Sequence, residues 1–217
     1  MNKCIILANG KPPRKSLIKF IIEKGFSTFI CADGGANSAL KMDLIPDFII
    51  GDLDSVSDSA IKKYKSVSRI IKIKRQNDTD VEKCLKFAIK SDCKEVVLMG
   101  GTGNRLDHTF CNLGIVLKFF KQIKISVVAE NSFLNPYSKN IKIESYPGET
   151  ISIYGIDPKT KISSRGLKYP LKKVSLAFGK KESTSNVSTS KVVELKISSG
   201  IIFVIRDINE MIKHDLF

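Results

Sequence analysis

The sequence predicts an α/β N-terminal domain on a mostly parallel, Rossmann-like sheet, followed by an all-β sandwich. Two observations carry that expectation. Through about residue 130, short β-rich apolar runs alternate with amphipathic segments, the order that gives a parallel sheet covered on both faces. Beyond that point the helical periodicity stops, and short strands parted by Gly, Pro, Asn and Ser take over, as in antiparallel sandwiches and barrels. The 217 residues suffice for two small domains, placed at 1–130 and 137–217 with the join in "NSFLNPYSKN" at 131–140.

Taken in order, "KCIILA" reads as a buried strand, "RKSLIKFIIEKG" as a helix stopped by Gly25, "STFICAD" as a strand and "GANSALKM" as a short helix. The alternation continues with strand "DFIIGD", helix "SVSDSAIKKYK", strand "RIIKIK", helix "DTDVEKCLKFAIKSD", strand "EVVLMG", helix "DHTFCNLGIVLKFFK" and strand "KISVVAE". Val81, Cys84, Leu85, Ala88 and Ile89 recur at i, i+3, i+4, i+7 and i+8, one core-facing stripe. The second half offers five strands, "NIKIESYP", "TISIYGI", "KVSLAFG", "KVVELKIS" and "GIIFVIRD".

Bulk properties narrow the function. At 42% hydrophobic and 27% charged the chain is ordinary for a globular protein. Its longest apolar runs, "IIFVI" and "GIVLKFF", fall far short of the roughly 20 residues a bilayer span needs, so no membrane association is expected. The N-terminal stretch lacks a cleavage-like site, and the five cysteines are odd in number with no CxxC pair. A cytoplasmic setting with reduced, buried thiols follows as the expectation. The net charge of +14 comes from lysines scattered singly, which reads as a solvated surface and not as a nucleic-acid face.

Against that basic background, five aspartates lie between Asp43 and Asp58 while no Lys or Arg lies between Met42 and Ala60. Asp52 and Asp54, one residue apart, point the same way if the chain stays extended. Two ionised carboxylates about 4 Å apart repel by roughly 4 kcal/mol at an effective dielectric of about 20, and Asp80 from the next strand end adds to that. Hard oxygen ligands of this kind suit Mg²⁺, and a nearby lysine would compete with the ion. Capping a helix is an equal use for Asp54 or Ser55.

In a parallel sheet, ligands bind beyond the carboxyl ends of the strands. Four consecutive strand ends here carry Asp or Gly clusters: Asp33-Gly34-Gly35, Asp52 to Ser55, Gln76 to Asp80, and Gly100 to His108. The segment "GGTGNR" offers backbone N–H groups to phosphate oxygens, with Arg105 able to add a charged contact, although alone it is also compatible with a plain turn. Carboxylates and glycines at one sheet edge together point to a nucleotide–Mg²⁺ site. His108 is a candidate base or a structural helix start.

Six motifs in order, "DGGAN" (33–37), "PDFIIGDLDS" (46–55), "QNDTD" (76–80), "GGTGNRLDH" (100–108), "GLKYPL" (166–171) and "STSN" (183–186), resemble the thiamine pyrophosphokinase family over nearly the whole chain. The resemblance implies an ATP-binding catalytic α/β domain, a thiamine-binding β-sandwich, and a homodimer with its active site at the subunit interface. It implies Mg²⁺ on Asp52, Asp54 and Asp80, with Gln76 and Asp107 beside them as polar catalytic residues. ATP, the co-substrate, would be held by Asp33, Gly34, Gly35, Asn37, Thr79, Gly100, Gly101, Thr102, Gly103 and Arg105. Thiamine, flat and cationic, would meet Tyr169, where many relatives have Trp, and the polar groups of Ser185 and Asn186. With no tryptophan in the chain, Phe203 is the other aromatic face. Asn77 stands where relatives often carry Asp, a departure that leaves two readings: Asp78 compensates, or that acid is dispensable. The activity so implied is pyrophosphoryl transfer from ATP to thiamine. The same acidic cluster would also serve a metal-dependent phosphohydrolase, and the charge a nucleotide-sensing or RNA-binding protein.

Overall fold

The computed structural model describes residues 2–75, 77–103 and 105–217, and it divides into two compact units, one ending at Glu130 and the other running from Asn131 to Phe217.

Six parallel strands form the first unit's sheet: β1 (Lys3–Leu7), β2 (Thr28–Ala32), β3 (Phe48–Gly51), β4 (Arg69–Lys72), β5 (Glu95–Met99) and β6 (Lys124–Ala129). Their spatial order is β6-β5-β1-β2-β3-β4. The central strands are continuous apolar runs, with Cys4 to Leu7 and Val96 to Met99 almost wholly buried, because helices cover both faces. β4 lies at an edge, with Arg69 and Lys72 exposed, which blunts that edge against further pairing. The chain builds outward from β1 to β4 and then returns to the other side of β1 with β5. That reversal places a switch point between the carboxyl ends of β1 and β5.

Five helices connect these strands: α1 (Lys15–Glu23), α2 (Gly35–Lys41), α3 (Asp58–Tyr64), α4 (Asp80–Lys90) and α5 (Leu106–Phe119). The start of α4 is written in the sequence. Thr79 caps it by accepting a hydrogen bond from Glu82 N, and Asp80 and Glu82 place negative charge in its first turn. Its stripe of Val81, Cys84, Leu85 and Ala88 packs on β2 and β3. α5 is different, since only Ile115, Val116 and Phe119 in its second half are buried.

The second unit is a sandwich of two antiparallel sheets. One has the order β12-β9-β14-β7, from β12 (Ser183–Val187), β9 (Thr150–Gly155), β14 (Ile202–Asp207) and β7 (Ser132–Tyr137). The other is β11-β10-β13-β8, from β11 (Val174–Ser175), β10 (Lys161–Arg165), β13 (Val192–Ser199) and β8 (Ile141–Glu144). Alternate residues such as Ile151, Ile153, Val193, Leu195, Ile202 and Val204 point inward and form one core. The stretch 131–140 carries β7. β10 and β12 add to the five strands expected, and "STSN" lies within β12, where its register against β9 shifts between Ser183 and Asn186.

Helical structure also returns at the end, as α6 (Ile208–Lys213). Asp207 caps it, accepting from Asn209 N and Glu210 N, and Ile208 and Met211 anchor it. His214 stacks on Tyr146 with ring centroids 3.6 Å apart. Among the described residues no helix is long and apolar enough to cross a membrane.

Candidate active site

A cavity of about 800 Å³ opens in the first unit at the switch point. Hydrogen bonding between β1 and β5 continues past both strands, from Ala8 N to Met99 O, Gly10 N to Gly100 O and Lys11 N to Thr102 O. The two loops therefore leave the sheet side by side. Gly100 has φ +62, and a Cβ there would stand 2.5 Å from Ala8 O, so this approach requires glycine. Asn112 Nδ2 donates to Gly101 O at 2.7 Å and ties the loop to α5. Gly100, Gly101, Thr102, Gly103 and Arg105 all line the cavity.

The acidic wall comes from the ends of β2 and β3 and the first turn of α4. Asp33, Asp52 and Asp80 each bring a carboxylate oxygen to within 4.8 Å of the others. Asp33 follows β2 with φ +44 and is 3% exposed. Gly51 makes room for it, because a Cβ at that position would press on Asp33 Cβ at 2.7 Å. Asp33 Oδ2 accepts from Ser55 N at 3.1 Å, but Oδ1 has no partner, the one such buried side-chain atom among the described residues. Burial, then the nearby charges of Asp80 and Asp54, push the Asp33 carboxyl above its usual range. An orphaned buried oxygen beside two further carboxylates is what a hard cation would complete, so these residues fit Mg²⁺.

The triad differs from the set expected from spacing. Leu53 has φ +67, so the chain turns between Asp52 and Asp54 and does not stay extended. Asp54 accepts from Ser55 Oγ at 2.9 Å and lies outside the converging set, with Asp33 in its place. A lysine also enters where none was expected. Lys83, on α4, is 4% exposed, donates to Asp80 Oδ1 at 2.8 Å and lies 3.9 Å from Asp52 Oδ2. Burial pushes its ammonium down, yet the Asp80 bond and the charges of Asp80, Asp52 and Asp33 leave it raised.

The other expected residues divide by what they touch. Asp33, Thr79, Asp80 and Asp107 line the cavity, although Thr79 Oγ1 is engaged in capping α4. Gly34, Gly35 and Asn37 do not line it. Asn37 instead braces the Asp52-to-Ser55 turn, donating to Ser55 O at 2.7 Å and accepting from Ser57 N at 2.9 Å. Arg105 forms a two-pronged pair with Asp107, at 2.9 and 2.5 Å, and the guanidinium holds that carboxyl well below the usual range. Asp78 pairs with Lys86 at 2.8 Å and Arg75 at 3.6 Å and is not one of the three converging carboxylates. Gln76 lies outside the described residues. Asn9, Lys11 and Asn112, which the sequence did not single out, line the cavity too, their only signal being position just after β1 or in the second turn of α5.

In the second unit, Tyr169 is 60% exposed while Phe203, 6% exposed within β14, presents no open face. The Asn186 side chain is buried and holds the Tyr169 backbone at both ends, accepting from its N at 3.1 Å and donating to its O at 2.8 Å. Ser185 has φ +52 and sits at the register shift of β12.

The first unit thus has the layout of α/β domains that handle phosphate-bearing ligands, with glycine-rich backbone on one side of the switch point and converging carboxylates on the other. Comparison with known proteins defines it further. A model described as the thiamin pyrophosphokinase catalytic domain matches residues 22–128, and one described as the thiamin pyrophosphokinase vitamin B1 binding domain matches residues 138–202. The chain belongs to the thiamin pyrophosphokinase family. Thiamin pyrophosphokinase 1 of Caenorhabditis elegans is 30% identical over 201 residues, covering 86% of this chain and 82% of that relative. The fold is shared with solved structures of thiamin pyrophosphokinase from Candida albicans (TM-score 0.82, 20% identity, 95% of this chain and 89% of the other) and from Bacillus subtilis (TM-score 0.80, 22% identity, 94% and 99%).

Proposed function

We propose that this protein is a Mg²⁺-dependent thiamine diphosphokinase of the cytoplasm, transferring the pyrophosphoryl group of ATP to the hydroxyl of thiamine and giving thiamine diphosphate and AMP. The observation that carries this is the orphaned Asp33 Oδ1 among three converging carboxylates, of which Asp33 and Asp80 line a glycine-rich cavity in a chain of this family. Asp33, Asp52 and Asp80 would hold the Mg²⁺, which when bound supplies neutralisation of phosphate charge. Asp54, one residue beyond the turn, steadies this wall through Ser55.

The thiamine hydroxyl must attack the β-phosphorus with AMP as leaving group, so the chain's task is to hold the phosphates in line. Backbone N–H groups from Gly100 to Gly103, together with Arg105, are suited to that. Arg105 is at present paired with Asp107, and both are exposed. Turning Arg105 toward a phosphate releases Asp107, whose carboxylate then regains the proton affinity needed to accept the hydroxyl proton. Tyr169, held from behind by Asn186, offers the stacking face for the aminopyrimidine.

A homodimer belongs to this reading. Leu106 and Phe110, one turn apart at the start of α5, are 68% and 61% exposed beside the cavity-lining Arg105 and Asp107. A second subunit seated there would cover this apolar pair and reach the cavity rim.

³¹P NMR of the protein with ATP and Mg²⁺, with and without thiamine, tests the activity. The expected result is thiamine-dependent formation of AMP and thiamine diphosphate. ADP as product, or ATP consumption independent of thiamine, would sink the assignment, the latter in favour of a phosphohydrolase.

A further inference from the structure

Lys83 is the feature of the site that the reading above leaves without a role. Its side chain is 3% exposed, its ammonium bonds Asp80 Oδ1 at 2.8 Å, and Asp52 Oδ2 lies 3.9 Å away. Burying an ammonium is costly, and a salt bridge that served only the fold would leave no neighbouring carboxyl oxygen orphaned, as Asp33 Oδ1 is. Three carboxylates against one ammonium leave two negative charges, the charge of one dication. Asp54 is exposed and bonded to Ser55, so solvent screens its contribution.

We infer that Lys83 is a positioning residue that stands in for part of the metal's charge: it keeps the Asp52 and Asp80 carboxylates from splaying in the metal-free protein and repels a free cation, so that the ion is taken up with the phosphates of the nucleotide. The inference rests on the metal reading of the triad but not on the identity of the acceptor substrate. Lys83 acts here through its charge and not through the packing of its stem. The geometry supports the split of tasks, because the lysine emerges from the same helical turn as Asp80 and reaches back to it at i, i+3, while the open oxygen belongs to Asp33 at the end of β2.

The test uses Mn²⁺ as probe, titrated without nucleotide and followed by loss of its free-ion EPR signal, on the wild type and on Lys83→Met, which keeps the length of the stem. Lys83→Met should bind Mn²⁺ at least tenfold more tightly and show a lower metal-free Tm. Asp33→Asn should then raise the metal-free Tm more in the Lys83→Met background than in the wild type, a coupling that a packing role does not produce. Should Lys83→Met not fold without metal, Lys83→Gln, which keeps polar donors but no charge, takes the same measurements. Equal or weaker Mn²⁺ binding in the variant, or the same gain from Asp33→Asn in both backgrounds, overturns the inference while leaving the metal site standing. A wild type that binds no Mn²⁺ with or without ATP removes the metal reading and this inference with it. Failure of thiamine-dependent AMP formation with Mn²⁺ binding intact touches the substrate alone.

Discussion

Each unit buries a charge cluster, and the two are finished differently. In the sandwich, Arg206 and Glu149 are 9% and 2% exposed and fully matched: Nε donates to Oε1 at 2.6 Å, Nη2 to Oε2 at 3.0 Å and to Glu144 O at 2.8 Å, and Ser145 Oγ donates to Oε2 at 2.5 Å. In the α/β unit, three carboxylates share one lysine and Asp33 Oδ1 has nothing. A closed network fixes a fold, whereas an open one waits for a ligand. Neutralising the open cluster should therefore destroy function and spare stability, and breaking the closed one should do the reverse.

The largest effect should come from the open side. Asp33→Asn, which leaves the Lys83–Asp80 pair intact, is expected to lower kcat about a hundred- to a thousandfold, the scale of removing one electrostatic contact to a developing charge. Its Tm should hold or rise, because like-charge repulsion is relieved. A variant that keeps more than a tenth of wild-type turnover would mean that the triad is not the metal site. The closed side should answer in the opposite sense. Arg206→Met strands Glu149 in the core and should cost about 3–5 kcal/mol in urea denaturation, with turnover per folded molecule retained. A loss below 1 kcal/mol would show that the network is not structural in the sense argued.

How far the sequence foretold this contrast depends on distance along the chain. The parallel sheet was legible, because its strands are unbroken apolar runs and α4 carries both a cap and a stripe. The acidic wall was legible as a region, but its members were not. Asp52 and Asp54 were paired by assuming extended backbone, and Leu53 at φ +67 turns the chain between them. Lys83 was missed because residues 42–60 hold no basic side chain and the lysine arrives from a helix more than twenty positions later. In the sandwich, β12 was hidden by its composition, since Ser183, Thr184, Ser185 and Asn186 carry no apolar alternation and become a strand only by pairing with β9. α6, with six residues, is too short to display a helical period.

A smaller effect refines the reading of the second unit. Tyr169→Ala is expected to raise the KM for thiamine about tenfold, roughly one lost aromatic contact, with the KM for ATP unchanged. Asn186→Ala should do much the same at one remove, since it frees both backbone groups of Tyr169. Adding it to Tyr169→Ala should then cost little more. Full additivity would indicate that Asn186 contacts the substrate itself.

The smallest expected effect tests whether closed networks also brace the catalytic unit. Glu82 is 6% exposed at the base of α4 and bonds Lys118 of α5 at 2.6 Å and Lys86 at 2.9 Å. Burial pushes its carboxyl up, but the bonds from Lys118 and Lys86 outweigh that and leave it below the ordinary value of 4.5. Both lysines remain largely exposed, so Glu82→Gln should cost about 1–2 kcal/mol at pH 7, between a surface pair and a buried one. The sign with pH follows from the lowered value. A carboxylate whose folded pKa is depressed contributes its full stability above the unfolded pKa and loses it as pH falls through the folded one. The gap between wild type and Glu82→Gln should be widest above about pH 5.5 and close on acidification through the region below 4.5. A gap that stays constant down to pH 3 would assign the loss to altered packing between α4 and α5 and not to charge.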